Sequence, residues 1–235
     1  MESVLEYSDG NGVFEAFVVS DDVSSRKPAI LICPAWDGPN DILRDQARGF
    51  AQTGLVAIVL DVYGKGIRGR IDGDNSHLMT PLLADRALLR RRLLAGFELA
   101  CGLPYVDPTR IVAFGPCFGG LCALDLARAS PSGLAAAIAV HAPLSAPPWP
   151  GGSIAARVLV LHGWEDPTAP PSDVLALAQE LTTAGADWQL HAYGHAMHAF
   201  TFPGAQFPER GLLYDPRAAS RAQHAITRFL DEVLA

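Results

Sequence analysis

Seven short apolar runs punctuate the chain at intervals that leave room for a helix between most of them. Residues 13–19 alternate apolar and polar, which predicts an edge or hairpin strand with one covered face. Residues 29–33, 55–60, 110–114, 135–140, 157–162 and 188–193 are compact segments bounded by Gly, Pro or Asp. Most of these are continuous enough for strands buried on both faces, as parallel strands are. Helical periodicity falls between them, over residues 42–53, 82–99, 121–129, 174–184 and 218–234. This alternation predicts an α/β fold of right-handed βαβ units with helices on both faces of the sheet. Residues 63–81, rich in Gly, Arg and Asp, read as a long functional loop. Residues 146–152 read as a rigid, Pro-rich connection. Neither stretch separates two cores, so residues 1–235 are expected to form one domain.

Composition narrows the function classes. Apolar residues make up 49% of the 235 and charged residues 18%, so disorder is excluded and a large core is expected. A formal net charge of −7 disfavours nucleic acid as a partner. No run has the length of a membrane span and the first residues lack a leader pattern, so a cytoplasmic monomer or small homo-oligomer is expected. Of the four cysteines, Cys33 and Cys101 read as buried small hydrophobes and Cys122 as packing.

Cys117 stands apart. The segment Ile111-Val112-Ala113-Phe114-Gly115-Pro116-Cys117-Phe118-Gly119-Gly120 runs from an apolar strand through G-x-C-x-G-G into a helix. This is the nucleophile-elbow pattern with Cys in place of Ser. The sharp turn demands small neighbours, and the helix start behind the sulfur favours a thiolate. Elbow enzymes continue with an acid and then a histidine. Here the run ending at His162 leads into Gly163-Trp164-Glu165-Asp166-Pro167, and Asp166 is the expected acid, with Glu165 as competitor. The last strand leads into Gly194-His195-Ala196-Met197-His198, and His198 is the expected base, with His195 as competitor. His191, His195 and His198 are closely spaced, but no further ligand completes a metal site, so neither metal nor cofactor is expected. The oxyanion donors are expected to be the backbone N–H groups of Phe118 and Trp36. Trp36, Tyr63 and Phe202 are candidate substrate-binding residues. Arg68, Arg70 and Arg86 are possible anion clamps, with solvated surface the plainer reading.

These motifs resemble the dienelactone hydrolase family. The resemblance rests on Trp36-Asp37-Gly38-Pro39-Asn40-Asp41, Leu60-Asp61-Val62-Tyr63-Gly64-Lys65-Gly66, the elbow, His162 to Asp166, Met197-His198-Ala199-Phe200-Thr201 and the closing helix. It implies an α/β-hydrolase fold with a mostly parallel sheet of about eight strands. It also implies a Cys117–His198–Asp166 triad, no cofactor, and a small-molecule ester or lactone as substrate. Three positions depart from the family pattern. Ala35 replaces a Glu that contacts the resting thiol, and Ala199 and Phe202 replace a Ser and an Arg that hold a substrate carboxylate. The departures argue for a less charged or bulkier ester, lactone or thioester. A non-hydrolytic ligand-binding protein, or an acyltransferase or thioesterase on the same scaffold, is the alternative.

Overall fold

The computed structural model describes residues 1–235. In chain order the elements are β1 (Glu2–Ser8), β2 (Val13–Val19), β3 (Lys27–Ile32), α1 (Asp41–Gln52), β4 (Val56–Val59), α2 (Ser76–Ala84), α3 (Arg86–Gly102), β5 (Val106–Pro116), α4 (Phe118–Ala129), β6 (Leu134–Val140), β7 (Arg157–Gly163), α5 (Pro171–Thr183), β8 (Trp188–Tyr193), β9 (Gln206–Phe207), β10 (Leu212–Leu213) and α6 (Pro216–Leu234). Eight strands form one sheet in the order β1-β2-β4-β3-β5-β6-β7-β8. Strands β4, β3, β5, β6, β7 and β8 run parallel, and β2 and β1 continue the sheet antiparallel. This is the α/β-hydrolase arrangement expected from the sequence.

The sheet splits the core in two. Ala29, Leu31, Ile111 and Ala113 face α2 to α5, whereas Ile30, Ile32, Val112 and Phe114 face α1 and α6. Successive side chains of a strand point to opposite faces, so a central strand covered on both sides must be apolar throughout. That is why the middle strands read as unbroken runs. The flanking helix α6 needs only one apolar stripe (Ala218, Ala222, Ile226, Phe229 and Leu230), and its start is capped by the Asp215 carboxylate, which accepts from Arg217 N and Ala218 N.

Helix α4 is different. It lies at the centre of the fold, and residues Phe118 to Arg128 are all buried. Its two charged residues are paired. Asp125 accepts from Arg86 Nε at 2.6 Å, from Arg86 Nη2 at 2.5 Å and from Arg128 Nη1 at 3.2 Å. Arg128 also bonds Glu180 on α5. Arg86 is therefore a buried structural residue at the start of α3, which corrects the surface reading. The other two arginines of that group are engaged as well. Arg68 pairs with Asp61 and Glu15, and exposed Arg70 pairs with Asp72.

Several expectations need correction. Residues 13–19 form a hairpin strand with β1, as one of the two expected readings had it, but not an edge strand, because β1 adds outside it. The stretch 63–81 is a loop only up to Asn75, after which α2 begins. The helix expected over residues 82–99 is two helices, broken at Asp85, whose carboxylate caps α3 by accepting from Leu88 N. Cys101 is only partly buried, while Cys33 and Cys122 are fully buried.

Candidate active site

Cys117 sits between the end of β5 and the start of α4, with φ 53° and ψ −125°. A non-glycine residue in this region is strained and is held there only by its surroundings. The surroundings are the elbow's glycines. A Cβ on Gly115 would strike the backbone of Gly119, and one on Gly119 would strike the carbonyl of Cys33 at the end of β3. The turn can therefore close only with hydrogen at both positions. Cys117 remains partly exposed, while Phe118 behind it is buried.

The loops after β7 and β8 bring the expected partners to the same end of the sheet. His198 Nδ1 lies 2.7 Å from Asp166 Oδ2, and both side chains are buried. The Cys117 side chain lies close enough to the His198 ring to act on its charge. Burial alone would lower the pKa of His198. The Cys117 sulfur, then the bond to Asp166, outweigh burial and hold it well above the ordinary imidazole value. For Asp166, burial alone would raise the pKa, but bonds from His198 and Thr168 leave it below the ordinary carboxylate value. An ionised Asp166 only accepts hydrogen bonds, so the proton on His198 Nδ1 belongs to the imidazole.

Thr168 was not anticipated from the sequence. Its N–H and Oγ1 donate to Asp166 Oδ1 at 2.8 and 2.6 Å, and its Oγ1 lies 3.1 Å from His198 Nδ1. Its signal was its place two residues past the acid, where Thr commonly closes a local turn on a carboxylate.

The competitors lie elsewhere. Glu165 and His195 pair with each other at 2.9 Å in an exposed contact. His191 is an exposed residue of β8, and the three nearby histidines do not converge into a metal-holding group.

The amides of Trp36 and Phe118 donate no hydrogen bond within the protein. Tyr63 braces the first of these loops. Its hydroxyl donates to Trp36 O at 2.9 Å, and its ring stacks on Phe118 with centroids 6.2 Å apart. Burial pushes the pKa of that phenol far up, so it stays a donor. Tyr63 is thus mainly buried behind the loop. Phe202 is half-buried and packs over Gly204 in its own turn. Asp37 is engaged within its own loop. Its carboxylate accepts from Asn40 Nδ2 at 2.7 Å and is buried there.

A second unanticipated residue is His141, which directly follows β6 with φ 37° and is buried. Its Nδ1 accepts from the Cys117 N–H at 3.2 Å, and its Nε2 lies 2.8 Å from Thr201 Oγ1. Its ring meets those of His198 and Phe200 edge-on. Burial, and then the charge of His198, lower its pKa to about 3, so it is neutral at physiological pH. The signal available in the sequence was a polar residue directly after an apolar strand, at the same sheet end as Asp166.

Comparison with known proteins agrees with this architecture. The family model described as "Dienelactone hydrolase family" matches residues 14–234. An uncharacterized protein of Caenorhabditis elegans is 34% identical over 154 residues, which is 63% of this chain and 95% of that protein. Among solved structures, m3DLH is 35% identical with a TM-score of 0.91, over 100% of this chain and 99% of its own. A dienelactone hydrolase-like promiscuous phosphotriesterase from metagenomic libraries is 30% identical with a TM-score of 0.93, again over 100% and 99%. No helix is long and apolar enough to cross a membrane. The chain belongs to the dienelactone hydrolase family of α/β-hydrolases and is a hydrolase of the family's ester- and lactone-cleaving kind.

Proposed function

We propose that the protein hydrolyses a small carboxylic ester or lactone through a thioester formed on Cys117. The observation that carries this reading is the strained, partly exposed Cys117 beside a buried His198–Asp166 pair. His198 accepts the thiol proton, or holds it already in an ion pair with the thiolate. The sulfur attacks the carbonyl carbon, and the N–H groups of Trp36 and Phe118 bind the oxyanion. Each such donor typically contributes about 3 kcal/mol. Collapse breaks the bond to the alkoxide, which leaves with the proton from His198. Water, deprotonated by the same imidazole, then releases the acid and restores the thiol. Asp166 keeps the Nδ1–H tautomer and stabilises the imidazolium. The absence of a carboxylate at Ala35, with Asp37 held by Asn40, supports a thiol activated by His198 alone.

Turnover of chromogenic short-chain esters and aryl lactones tests the proposal. Cys117→Ala should abolish nearly all activity and His198→Ala most of it. Full activity in Cys117→Ala refutes the assignment. Rapid iodoacetamide labelling of Cys117 near neutral pH separates a working nucleophile from an inert thiol in a ligand-binding protein. Added amine or alcohol acceptors separate hydrolysis from acyl transfer. A second reading comes from the metagenomic relative named as a phosphotriesterase. The same thiol and two amides suit attack at a phosphoryl centre, and release of phenolate from a dialkyl aryl phosphate, lost in Cys117→Ala, is its test.

A further inference from the structure

We infer that His141 is a positioning residue, a neutral brace that ties the Cys117 turn to the loop carrying His198 and so sets the approach of sulfur and imidazole. The inference rests on the reading of Cys117 and His198 as nucleophile and base.

The two proposed reacting groups lie on separate segments. Cys117 belongs to the turn between β5 and α4, whereas His198 sits on the loop after β8. His141 touches both segments. Its Nδ1 lies 3.2 Å from the Cys117 N, and an amide can only donate, so this nitrogen is the acceptor. A neutral imidazole then carries its single proton on Nε2, which must donate to Thr201 Oγ1 at 2.8 Å. Thr201 is three residues past His198, and the turn between them is tight, with Ala199 at φ 57°. The chain of bonds therefore runs from the nucleophile's amide, through one rigid ring, to the base's loop.

The geometry has further supports. His141 adopts φ 37°, a conformation costly for a non-glycine residue, and its own N–H is anchored to Leu161 O at 2.8 Å on β7. The ring packs edge-on to His198 at 5.2 Å between centroids and to Phe200 at 5.3 Å. The Cys117 amide also bonds Val140 O at 2.9 Å, so the turn keeps one anchor if the ring is lost. His141 has no free nitrogen for a substrate, and burial keeps it out of proton transfer. Its proposed work is done through others.

A brace with two ends fails when either end is released. His141→Asn keeps an acceptor at the Nδ1 position but cannot reach Thr201. Thr201→Val keeps the volume and removes the hydroxyl. Each should lower kcat on a chromogenic ester roughly 10-fold with KM changed less than about 3-fold, as loss of alignment does. The double variant should be no slower than the slower single, because both changes cut one linkage. Thr201→Ser should restore most of the rate, since it restores the hydroxyl. Thermal midpoints measured alongside separate misalignment from unfolding, and half-buried Thr201 keeps the test available if His141→Asn is unstable. Either single variant at the wild-type rate, or losses that multiply in the double variant, overturns the inference. Cys117→Ala is run in parallel. An active Cys117→Ala overturns the nucleophile assignment and this inference with it, whereas a silent one with unaffected His141 and Thr201 variants overturns this inference alone.

Discussion

The contact between His198 and Asp166 allows a prediction in which the smaller chemical change does more harm. Asp166 Oδ1 receives the Thr168 N–H at 2.8 Å and its hydroxyl at 2.6 Å, while Oδ2 faces His198 Nδ1 at 2.7 Å. In Asp166→Asn the amide oxygen must take the Oδ1 place, because a backbone N–H cannot turn away from it. The NH₂ group then faces His198 Nδ1 and donates to it. The imidazole is forced into the tautomer with its proton on Nε2, toward the sulfur, where it cannot act as a base. Restoring the working tautomer would set two donors against each other. The change forfeits a charge-assisted bond, about 1.5–3 kcal/mol, and leaves a buried donor unmatched, about 1–3 kcal/mol. The sum, about 3–6 kcal/mol, corresponds to a loss of roughly 10² to 10⁴ in kcat/KM at 1.36 kcal/mol per decade. Asp166→Ala leaves a space that water can enter and imposes no tautomer, so it should lose only the first part, roughly 10- to 100-fold. The assay is ester hydrolysis by both purified variants at one pH, with circular dichroism to verify folding. An Asp166→Asn enzyme as active as Asp166→Ala would refute the hydrogen-bond reasoning.

Two predictions concern stability. His141 is held to about 3 against an ordinary 6.5, so the unfolded chain takes up a proton that the native fold refuses. That stabilisation is complete above pH 6.5 and shrinks as pH falls toward 3, at about 1.4 kcal/mol per pH unit. Buried His162, also lowered, acts in the same direction. Urea unfolding between pH 7.5 and 4.5 should show the decline and a shallower one in His141→Asn; equal slopes contradict the assignment. Asp125→Ala would leave buried Arg86 without a charged partner, while Arg128 keeps Glu180, at about 3–5 kcal/mol. For a chain of this size that is roughly a 6–20 °C fall in thermal midpoint. Calorimetry checks it, and a shift within measurement error would mean that solvent reaches the Arg86–Asp125–Arg128 cluster.

What the sequence reveals is what local pattern controls. The central strands are apolar at every position because both of their faces are covered, and the elbow glycines are compulsory because backbone approaches backbone there. Alternation, by contrast, reports how many faces of a strand are covered, not where in the sheet it lies. Strand β2 buries Phe14, Ala16 and Val18 on one face, while on the other Val19 is buried and Phe17 is only partly covered, beneath the guanidinium groups of Arg44 and Arg48. Its pattern therefore looks like an edge, although β1, with one buried residue, pairs outside it. Helix α2 was hidden for a local reason as well, since Pro81 within it reads as a breaker. Arg86 was misread because charge in a sequence defaults to solvent, and only the fold brings Asp125, 39 residues on, against it.

The same division runs through the candidate site. Cys117, Asp166 and His198 follow an order that the strand sequence dictates, each at the sheet end where successive strands stop. Thr168 and His141 carry no such order. Their assignments depend on which nitrogen or oxygen meets which neighbour across 30, 24 and 60 residues of chain. A neutral histidine and a threonine are ordinary loop and strand-end residues until those contacts exist. The proposed reactive residues are thus written into motif spacing, whereas the groups proposed to aim them are specified by packing. For that reason Thr201→Val, a change that no motif would flag, is expected to slow catalysis more than loss of exposed His195, which stands three residues before the base and pairs only with Glu165.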